Sequence, residues 1–255
     1  MAAPLVMPDM PSRHEGIQRT GPSSEAKAAR GVTPGGAAPG LAVLWDLDGT
    51  LLESNLSIRQ TMNHVLAERG LPAFTKGELD ALIGHPLRDI LATKTTDRAA
   101  VEAMALRYRE VYIESGWVTV DLHEGVAPLV QRLRARGHPQ AVVTSKGQEE
   151  AEVLLQDLGV AHLFDAVVGD DDERPLKPDP APVLEACQLL RRAPAQVVMV
   201  GDTRFDVGAA KAAGAFAVGV LWGNGTAQSL REAGADALAK DAADLERVLA
   251  RLARA

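Results

Sequence analysis

The chain has 255 residues, of which 46% are hydrophobic and 24% charged, and its formal net charge is −7 at pH 7. This length and composition suit one large domain or two modest ones with a sizeable core. The acidic balance, without a basic cluster, argues against nucleic acid, because binding a phosphate backbone needs a positive face. The apolar stretches are far shorter than the roughly eighteen residues of a membrane span, and the first residues lack the apolar region of a secretory signal. We expect a soluble cytoplasmic protein that binds neither nucleic acid nor membrane.

Residues 1–40 differ in composition from the rest of the chain. They are rich in Pro, Gly, Ala and Ser and show no hydrophobic periodicity, so they have no apolar face to bury. We expect a disordered N-terminal extension here. A regulatory or partner-binding role for this extension stays open.

The next part of the chain begins with an apolar strand and continues with helices. Five apolar residues at 41–45 predict a strand buried on both faces, as in parallel sheets. Apolar residues at helical spacing then predict helices at 58–66, 75–83 and 97–115. Because no convincing strand stands between residues 55 and 122, we expect a small α-helical cap inserted directly after the first strand.

From Gly125 onward, helices alternate with short apolar strands. The predicted strands are 140–144, 166–168, 196–200 and 215–219. Strands that alternate with helices of about ten to fifteen residues indicate βαβ units and a parallel sheet. The predicted fold is therefore an α/β, doubly wound parallel sheet formed by residues 41–54 and 123–255, with the helical insertion at 55–122.

Polar residues follow the predicted strands at the edge where such sheets bind ligands. They are Asp46 and Asp48 after the first strand, Thr144 and Ser145 after the second, Lys177 in a loop before a helix, and Asp202 and Asp206 after the strand at 196–200. Each has an ordinary structural alternative as a turn residue, a helix cap or a solvated loop residue. Together they supply a nucleophile, an acid/base, metal ligands, hydroxyls and a cation, which phosphoryl transfer requires.

Asp46 and Asp48 are candidates for the chemical step. Residues i and i+2 of an extended chain point to the same side, so we expect both carboxylates to face one small volume. A carboxylate is ionised at neutral pH, so Asp46 can act as a nucleophile without a separate base. Asp48 can protonate a leaving oxygen and later accept a proton from water.

Asp202 and Asp206 are candidates for a metal site. Mg²⁺ prefers hard oxygen ligands and binds one or two carboxylates together with substrate phosphate and water. Asp202 would join Asp46 around the ion. Asp206, one turn into the following helix, would support the site from behind.

Thr144, Ser145 and Lys177 are candidates for binding a phosphate group. The first two precede a helix whose free N–H groups, with the Thr144 hydroxyl, can hold an anion. Lys177 lies outside the next helix, because Pro178 disfavours helical backbone at the preceding position. We expect these residues to contact the substrate.

The motifs formed by these residues resemble those of the haloacid dehalogenase-like (HAD) hydrolase superfamily, in its phosphoglycolate phosphatase-like branch. The matching segments are Asp46-Leu-Asp48-Gly49-Thr50-Leu, Val143-Thr144-Ser145, Lys177-Pro178-Asp179 and Gly201-Asp202-Thr203-Arg204-Phe205-Asp206. The resemblance implies a Rossmann-like core with Asp46 as nucleophile and Asp48 as acid/base. It implies that phosphate is bound by Thr144 and Lys177. It also implies a Mg²⁺ site made of Asp46, Asp202 and the Asp48 carbonyl, with Asp206 assisting.

The resemblance gives the helical insertion a role as well. It implies a small mobile cap that closes over substrate and excludes water. His85 and Arg88 are the cap residues that we expect to bind substrate, although both also fit a surface loop. The second aspartate, Asp48, favours cleavage of a phosphate ester over cleavage of a carbon–halogen bond.

The expected function is that of a Mg²⁺-dependent phosphatase acting on a small phosphorylated metabolite through an aspartyl-phosphate. Its first candidate substrate is 2-phosphoglycolate. Alternatives within the superfamily are a phosphosugar mutase and an inorganic pyrophosphatase. An alternative of another class is a non-catalytic phosphoacceptor or regulatory protein, against which the helical insertion and the second aspartate argue.

Overall fold

A computed structural model describes residues 41–115 and 120–254. The expected disordered extension, residues 1–40, lies outside the described residues. The strands are β1 (Ala42–Trp45), β2 (Leu52–Glu53), β3 (Asp121–Leu122), β4 (Gln140–Gly147), β5 (Ala166–Asp170), β6 (Val197–Gly201), β7 (Phe216–Val220) and β8 (Ala237–Ala239). The helices are α1 (Asn55–Glu68), α2 (Lys76–Asp80), α3 (Leu87–Ala92), α4 (Arg98–Ser115), α5 (Val126–Ala135), α6 (Gln148–Asp157), α7 (Ala181–Leu189), α8 (Arg204–Ala213), α9 (Ala227–Glu232) and α10 (Ala242–Leu252).

The described residues form a six-stranded parallel sheet in the order β5-β4-β1-β6-β7-β8. The chain runs outward from β1 through β4 to β5, returns to β6 on the other side of β1, and runs outward again to β8. Strand order therefore reverses at β1, which places a ligand crevice at the carboxyl ends of β1 and its neighbours. The predicted α/β doubly wound parallel sheet is confirmed.

Strand β1 is buried on both faces of this sheet, as its continuous apolar sequence predicts. Ala42 and Leu44 belong to one hydrophobic cluster, and Val43 and Trp45 belong to the other. The indole Nε1 of Trp45 donates a hydrogen bond to Gln140 Oε1 at 3.0 Å, so the polar atom of this buried ring is satisfied. This burial fixes β1 in the interior of the sheet and thereby fixes the aspartates that follow it.

Helices α1 to α4 lie between β2 and β3, where the sequence predicts the helical insertion. Met62 of α1 and Met104 of α4 pack in the same cluster as Trp45, so the insertion shares a core with one face of the sheet. Helix α2 ends at Asp80, earlier than the predicted residue 83. The sequence pattern does not predict α3, because six residues after Pro86 are too few to show helical periodicity.

The expectation that residues 55–122 contain no strand is wrong at the end of that segment. Strands β2 and β3 pair antiparallel, with Leu52 opposite Leu122 and Glu53 opposite Asp121. This short ladder joins the two places where the chain passes between sheet and insertion. Two residues on each side are too few to show the alternation typical of a strand. The sequence pattern does not predict the short elements β8 and α9 for the same reason.

Candidate active site

Three aspartates meet at the carboxyl ends of β1 and β6. The Asp46 N–H donates to the main-chain oxygen of Val200 at 2.9 Å, which places Asp46 beside the strand end that carries Asp202. Asp206 lies in the first turn of α8. Carboxylate oxygens of Asp46, Asp202 and Asp206 lie within 4.8 Å of one another, and all three residues are buried. The structure thus brings together three of the predicted metal ligands.

Lys177 extends into this carboxylate cluster from the loop before α7. Its Nζ donates to Asp46 Oδ1 at 2.6 Å, to Asp206 Oδ1 at 2.5 Å and to the main-chain oxygen of Val143 at 3.0 Å. Burial by itself lowers the pKa of Lys177, but Asp206 and Asp46 outweigh burial and raise that pKa above its usual range. Lys177 is therefore a buried, paired ammonium and not a solvated loop residue.

The charges of this cluster do not cancel. Three carboxylates less one ammonium leave two negative charges when all groups are ionised. Burial and the neighbouring Asp206 raise the pKa of Asp46 well above its usual value, and they raise the pKa of Asp202 to about 6. A divalent cation that prefers oxygen ligands matches both this donor set and this excess charge. Asp46, Asp202 and Asp206 therefore fit a divalent metal ion.

Protein donors hold Asp202 and Asp206 in place. The Thr203 N–H and Oγ1 donate to Asp206 Oδ2 at 2.9 and 2.6 Å. Thr50 Oγ1 donates to Asp202 Oδ1 at 3.0 Å, and the Asn224 N–H donates to Asp202 Oδ2 at 2.6 Å. One oxygen of Asp206 therefore accepts from Thr203, the N-cap residue of α8, while its other oxygen binds the lysine of the cluster.

Asp48 lies outside the carboxylate cluster but lines the same cavity as Asp46. Ser54 Oγ donates to Asp48 Oδ1 at 2.6 Å, and Lys146 Nζ lies 3.2 Å from Asp48 Oδ2. The resemblance implies that the Asp48 carbonyl, and not its carboxylate, binds the metal, and this role stays a prediction. The two aspartates of the first motif face one volume, as their spacing predicts.

The cavity lies between this end of the sheet and the helical insertion. Its predicted core residues are Asp46, Asp48, Thr144, Ser145, Lys177 and Asp206. The insertion contributes apolar side chains, which are Ile58, Met62, Ile83, Leu87 and Ile90. Thr144 Oγ1 accepts a hydrogen bond from the Lys146 N–H at 3.1 Å. The buried Ser145 Oγ has no hydrogen-bond partner within the described part of the chain and is available to a ligand.

The structure separates the two predicted cap residues. His85 lines the cavity, and its ring lies edge-on to that of Phe205 with the centroids 4.6 Å apart. Among the residues that the structure describes, Arg88 does not line this cavity. Its guanidinium donates to Glu102 at 2.8 Å and to Asp172 at 2.6 Å. Substrate binding by His85 and Arg88 stays a prediction, and the contacts of Arg88 favour a role in holding the insertion to the core.

Lys146 is a further cation of the cavity to which the sequence analysis assigns no role. Its Nζ lies 3.9 Å from the centroid of the Tyr112 ring, besides its contact with Asp48. Burial by itself lowers the pKa of Lys146, but Asp48 and the nearby tyrosines outweigh burial and raise that pKa well above its usual range. The sequence signal for this residue is its place directly after Thr144 and Ser145, at the end of a central strand.

Arg109 of α4 is a second cation of the cavity that the sequence analysis misses. It donates to Asp170, the last residue of β5, at 2.9 Å and to Asp172, in the loop after β5, at 2.7 Å. Its place at the site depends on how α4 packs on the core. Hydrophobic periodicity does not reveal that packing.

The residues of this site also lie within the part of the chain that matches a known protein family. A sequence model described as haloacid dehalogenase-like hydrolase matches residues 43–220, which is more than half of the chain and includes the whole carboxylate cluster. The chain belongs to the haloacid dehalogenase-like hydrolase family.

Individual relatives of this HAD hydrolase cover more than two thirds of the chain. A phosphoglycolate phosphatase of Xanthomonas campestris pv. campestris (strain 8004) is 37% identical over 184 residues, which are 71% of this chain and 83% of the relative. A Mycobacterium tuberculosis (strain ATCC 25618 / H37Rv) protein named tyrosine-protein kinase PtkA is 36% identical over 195 residues, which are 75% of this chain and 65% of the relative. A crystal structure of a predicted phosphoglycolate phosphatase from Haemophilus somnus 129pt matches with a TM-score of 0.74 at 26% identity and covers 84% of this chain and 99% of that chain.

These similarities confirm the resemblance derived from the four motifs, both to the HAD superfamily and to its phosphoglycolate phosphatase-like branch. They also confirm the prediction of an enzyme, a hydrolase of the phosphatase type, at the level of family and branch. Within residues 41–115 and 120–254, no helix combines the length and the apolar character needed to cross a bilayer.

Proposed function

We propose that this HAD hydrolase is a Mg²⁺-dependent phosphatase that hydrolyses a small phosphomonoester such as 2-phosphoglycolate. The observation that carries the proposal is the pairing of Asp46 with Lys177 at 2.6 Å beside Asp202 and Asp206, in a cavity shared with Asp48. Two of the similar proteins reported above, which are named phosphoglycolate phosphatase and predicted phosphoglycolate phosphatase, support the same activity. The expected cytoplasmic location stays a prediction.

The reaction proceeds in two displacements on phosphorus. A carboxylate oxygen of Asp46 forms a bond to phosphorus while the bond to the leaving alkoxide breaks, and Asp48 gives its proton to that alkoxide. Asp48 then takes a proton from a water molecule whose oxygen attacks phosphorus and displaces Asp46. Inorganic phosphate leaves, and both aspartates return to their starting forms.

Groups around the phosphate stabilise the negative charge that it carries during both displacements. Lys177, Thr144 and Ser145 donate hydrogen bonds to the phosphate oxygens, which carry the charge that develops in the transition state. Asp46, Asp202 and the Asp48 carbonyl would hold Mg²⁺, with Asp206 assisting, and the ion would supply positive charge that lets an anionic phosphate approach a carboxylate.

The cavity favours a small substrate whose leaving alcohol carries a carboxylate. Lys146 and Arg109 line it beyond the carboxylate cluster. Both cations offer charge-assisted hydrogen bonds to a carboxylate on the alcohol part of the substrate. The insertion acts as a cap that covers this part of the substrate and excludes water, with His85 as a contact.

Phosphate release from a panel of phosphoesters tests the proposal. We expect Mg²⁺-dependent release from 2-phosphoglycolate to exceed release from hexose phosphates, pyrophosphate and nucleotides, without sugar-phosphate isomerisation. Asp46→Asn keeps the size of the side chain but removes the nucleophile, so kcat falls by about 10³-fold or more. Asp241→Asn, which changes only the exposed cap of α10, is the matched control and retains activity. A folded Asp46→Asn variant with wild-type turnover contradicts the nucleophile assignment, and no turnover by the wild type supports a regulatory protein.

A further inference from the structure

A chain of side-chain amides connects the helical insertion to Asp202. Asn55, the first residue of α1, donates through Nδ2 to Oδ1 of Asn224 at 2.6 Å. Asn224, in the loop after β7, donates through Nδ2 to Asp202 Oδ2 at 3.1 Å, and its main-chain N–H donates to the same oxygen at 2.6 Å. The chain therefore begins in the insertion and ends on a predicted metal ligand.

The direction of these hydrogen bonds is fixed by chemistry. An ionised carboxylate accepts hydrogen bonds and donates none, so the amide nitrogen of Asn224 must face Asp202. The amide oxygen of Asn224 then faces Asn55, which must donate. Each amide thus has one orientation that satisfies its neighbour, and rotation of either side chain breaks the sequence of bonds.

The loop that carries Asn224 is built to lie directly against Asp202. A Cβ atom on Gly223 would lie 2.3 Å from Asp202 Oδ2, and one on Gly225 would lie 2.0 Å from the Asp202 main-chain oxygen. Glycine on both sides of Asn224 therefore permits a distance that other residues exclude. The neighbouring Trp222 anchors the loop, because its Nε1 donates to the main-chain oxygen of Thr50 at 3.0 Å.

Asn55 and Asn224 are not placed to contact the substrate. They line a second cavity of about 230 Å³, together with Gly49, His123 and Trp222. Neither asparagine is among the described residues that line the cavity of Asp46 and Lys177. An effect of these amides on the reaction must therefore pass through Asp202.

We infer that Asn224 is a positioning residue for the metal-binding carboxylate of Asp202, and that Asn55 ties this positioning to the helical insertion. The inference rests on the Mg²⁺ site of the proposed function. When the insertion is seated as in the structure, Asn55 holds the Asn224 amide with its nitrogen toward Asp202. Displacement of α1 from the core releases Asn224, so metal affinity depends on the position of the insertion.

Calorimetric titration of the full-length protein with Mg²⁺, in the absence of substrate, measures this dependence directly. Groups that orient a metal ligand typically change metal affinity by one to two orders of magnitude when removed. Because the Asn224 main-chain N–H remains, we expect Asn224→Ala to weaken Mg²⁺ binding by about tenfold. Asn55→Ala keeps Asn224 and should weaken binding by about threefold. The double variant should bind no more weakly than Asn224→Ala alone, since both act through the same bond to Asp202.

Asn63→Ala is the matched control for a loss of stability. Asn63 lies on the same helix as Asn55, and its side chain bonds both main-chain polar atoms of Phe74 inside the insertion. We expect this variant to melt at a lower temperature and to bind Mg²⁺ as the wild type does. Unchanged affinity in either Asn224→Ala or Asn55→Ala, or fully additive losses in the double variant, overturns the inference while the proposed function stands. A wild-type protein that hydrolyses phosphoesters without binding Mg²⁺ overturns both.

Discussion

The position of Lys146 suits two roles, which are binding a substrate carboxylate and orienting Asp48. Its ammonium lies 3.2 Å from Asp48 and over the ring of Tyr112, so the charge is buried and paired on the cavity wall. A buried ammonium with hydrogen atoms to spare is a strong donor to an incoming carboxylate, because hydrogen bonds to charged groups are worth about 1.5 to 3 kcal/mol. The same ammonium also orients the proposed acid/base. We therefore expect Lys146 to affect both turnover and substrate choice.

Lys146→Met tests this double role, since methionine keeps an unbranched apolar stem over Tyr112 but removes the charge. We expect kcat/KM to fall for every substrate, and to fall about tenfold further for 2-phosphoglycolate than for ethyl phosphate, which lacks the carboxylate. Steady-state kinetics with both esters measure the ratio. Lys94→Met is the matched control, because Lys94 also lies over a ring, that of Phe74 at 4.2 Å, within the insertion. Equal losses for both esters would show that Lys146 does not bind the substrate carboxylate.

The raised pKa of Asp202 predicts how metal binding depends on pH. Burial and Asp206 raise the pKa of Asp202 to about 6, and Mg²⁺ binds the ionised carboxylate, so protons compete with the metal below that pH. For a group with this pKa, apparent Mg²⁺ affinity at about pH 5 is roughly tenfold weaker than at about pH 7.5. The raised pKa of Asp46 acts in the same direction. Calorimetry at constant ionic strength measures the change, and equal affinity at both pH values contradicts the proposed ligand.

At the residue scale, the sequence predicts the site residues whose positions follow from a neighbouring strand or helix. Asp46 and Asp202 each follow a predicted strand, and the carboxyl ends of parallel strands meet at one edge of the sheet. Lys177 stands directly before Pro178, in the loop that leads into a predicted helix. The sequence does not predict Arg109 or Asn224 as site residues, because their contacts join segments far apart in the chain. The hydrogen bond between Asn55 and Asn224 is an example. No local pattern encodes such a contact.

Among the elements, α3 and α4 are held to the loop after β5 by one carboxylate. Asp172 accepts from Arg88 at 2.6 Å and from Arg109 at 2.7 Å. The Arg109 hydrogen bond, followed by that of Arg88, outweighs partial burial and lowers the pKa of Asp172 to about 2, so the group is ionised at working pH. The residue has a φ of 64°, a conformation that asparagine also tolerates. This contact joins the insertion to the core beside the cavity.

Asp172→Asn removes the charge without straining the turn. If this contact helps to hold the cap over substrate, KM rises by about threefold, a modest effect because the pair is partly exposed to solvent. Raising NaCl from about 0.05 to 0.5 M raises the wild-type KM by screening the pair, while the KM of the variant changes less. Steady-state kinetics across this salt range provide the measurement.

The neighbouring Asp171 offers a matched control for that experiment. Its carboxylate accepts from the N–H groups of Glu173 and Arg174 and from the Arg174 guanidinium, all within the same loop. Asp171→Asn should therefore leave KM and its salt dependence unchanged. A similar change in both variants would assign the effect to the loop and not to the contact with the insertion.

At this scale, the sequence predicts the long elements and misses the short ones. Apolar runs at β1, β4 and β6 are long enough to identify buried strands, and α4 shows several turns of helical spacing. The ladder of β2 with β3 has two residues on each strand, so its stability comes from the packing around it and not from a pattern of its own. The ladder of β2 with β3, where the insertion joins the sheet, is therefore the part of the fold that the sequence predicts least well.

Across the whole molecule, the proposed metal site joins segments that are distant in the chain. Asp46 follows the first strand of the sheet, and Asp202 and Asp206 lie 156 and 160 residues later. Thr50, which also follows that strand, donates a hydrogen bond to Asp202. An ion held by these carboxylates binds the folded chain and not the unfolded chain, in which the ligands are far apart. Binding free energy therefore adds to the stability of the fold.

Thermal unfolding with and without Mg²⁺ measures this coupling. At a concentration about 100 times its dissociation constant, a ligand specific for the folded state contributes about 2.7 kcal/mol, which raises Tm by roughly 5 to 10 °C for a chain of this size. Asp202→Asn keeps the shape of the side chain but removes its charge, so we expect this variant to lose most of the rise. NaCl at matched ionic strength serves as the control for general salt effects. An equal rise in Asp202→Asn, or an equal rise with NaCl, would place the bound cation elsewhere, whereas a rise confined to Mg²⁺ and the wild-type carboxylate identifies this cluster as the site that ties the two halves of the sheet together.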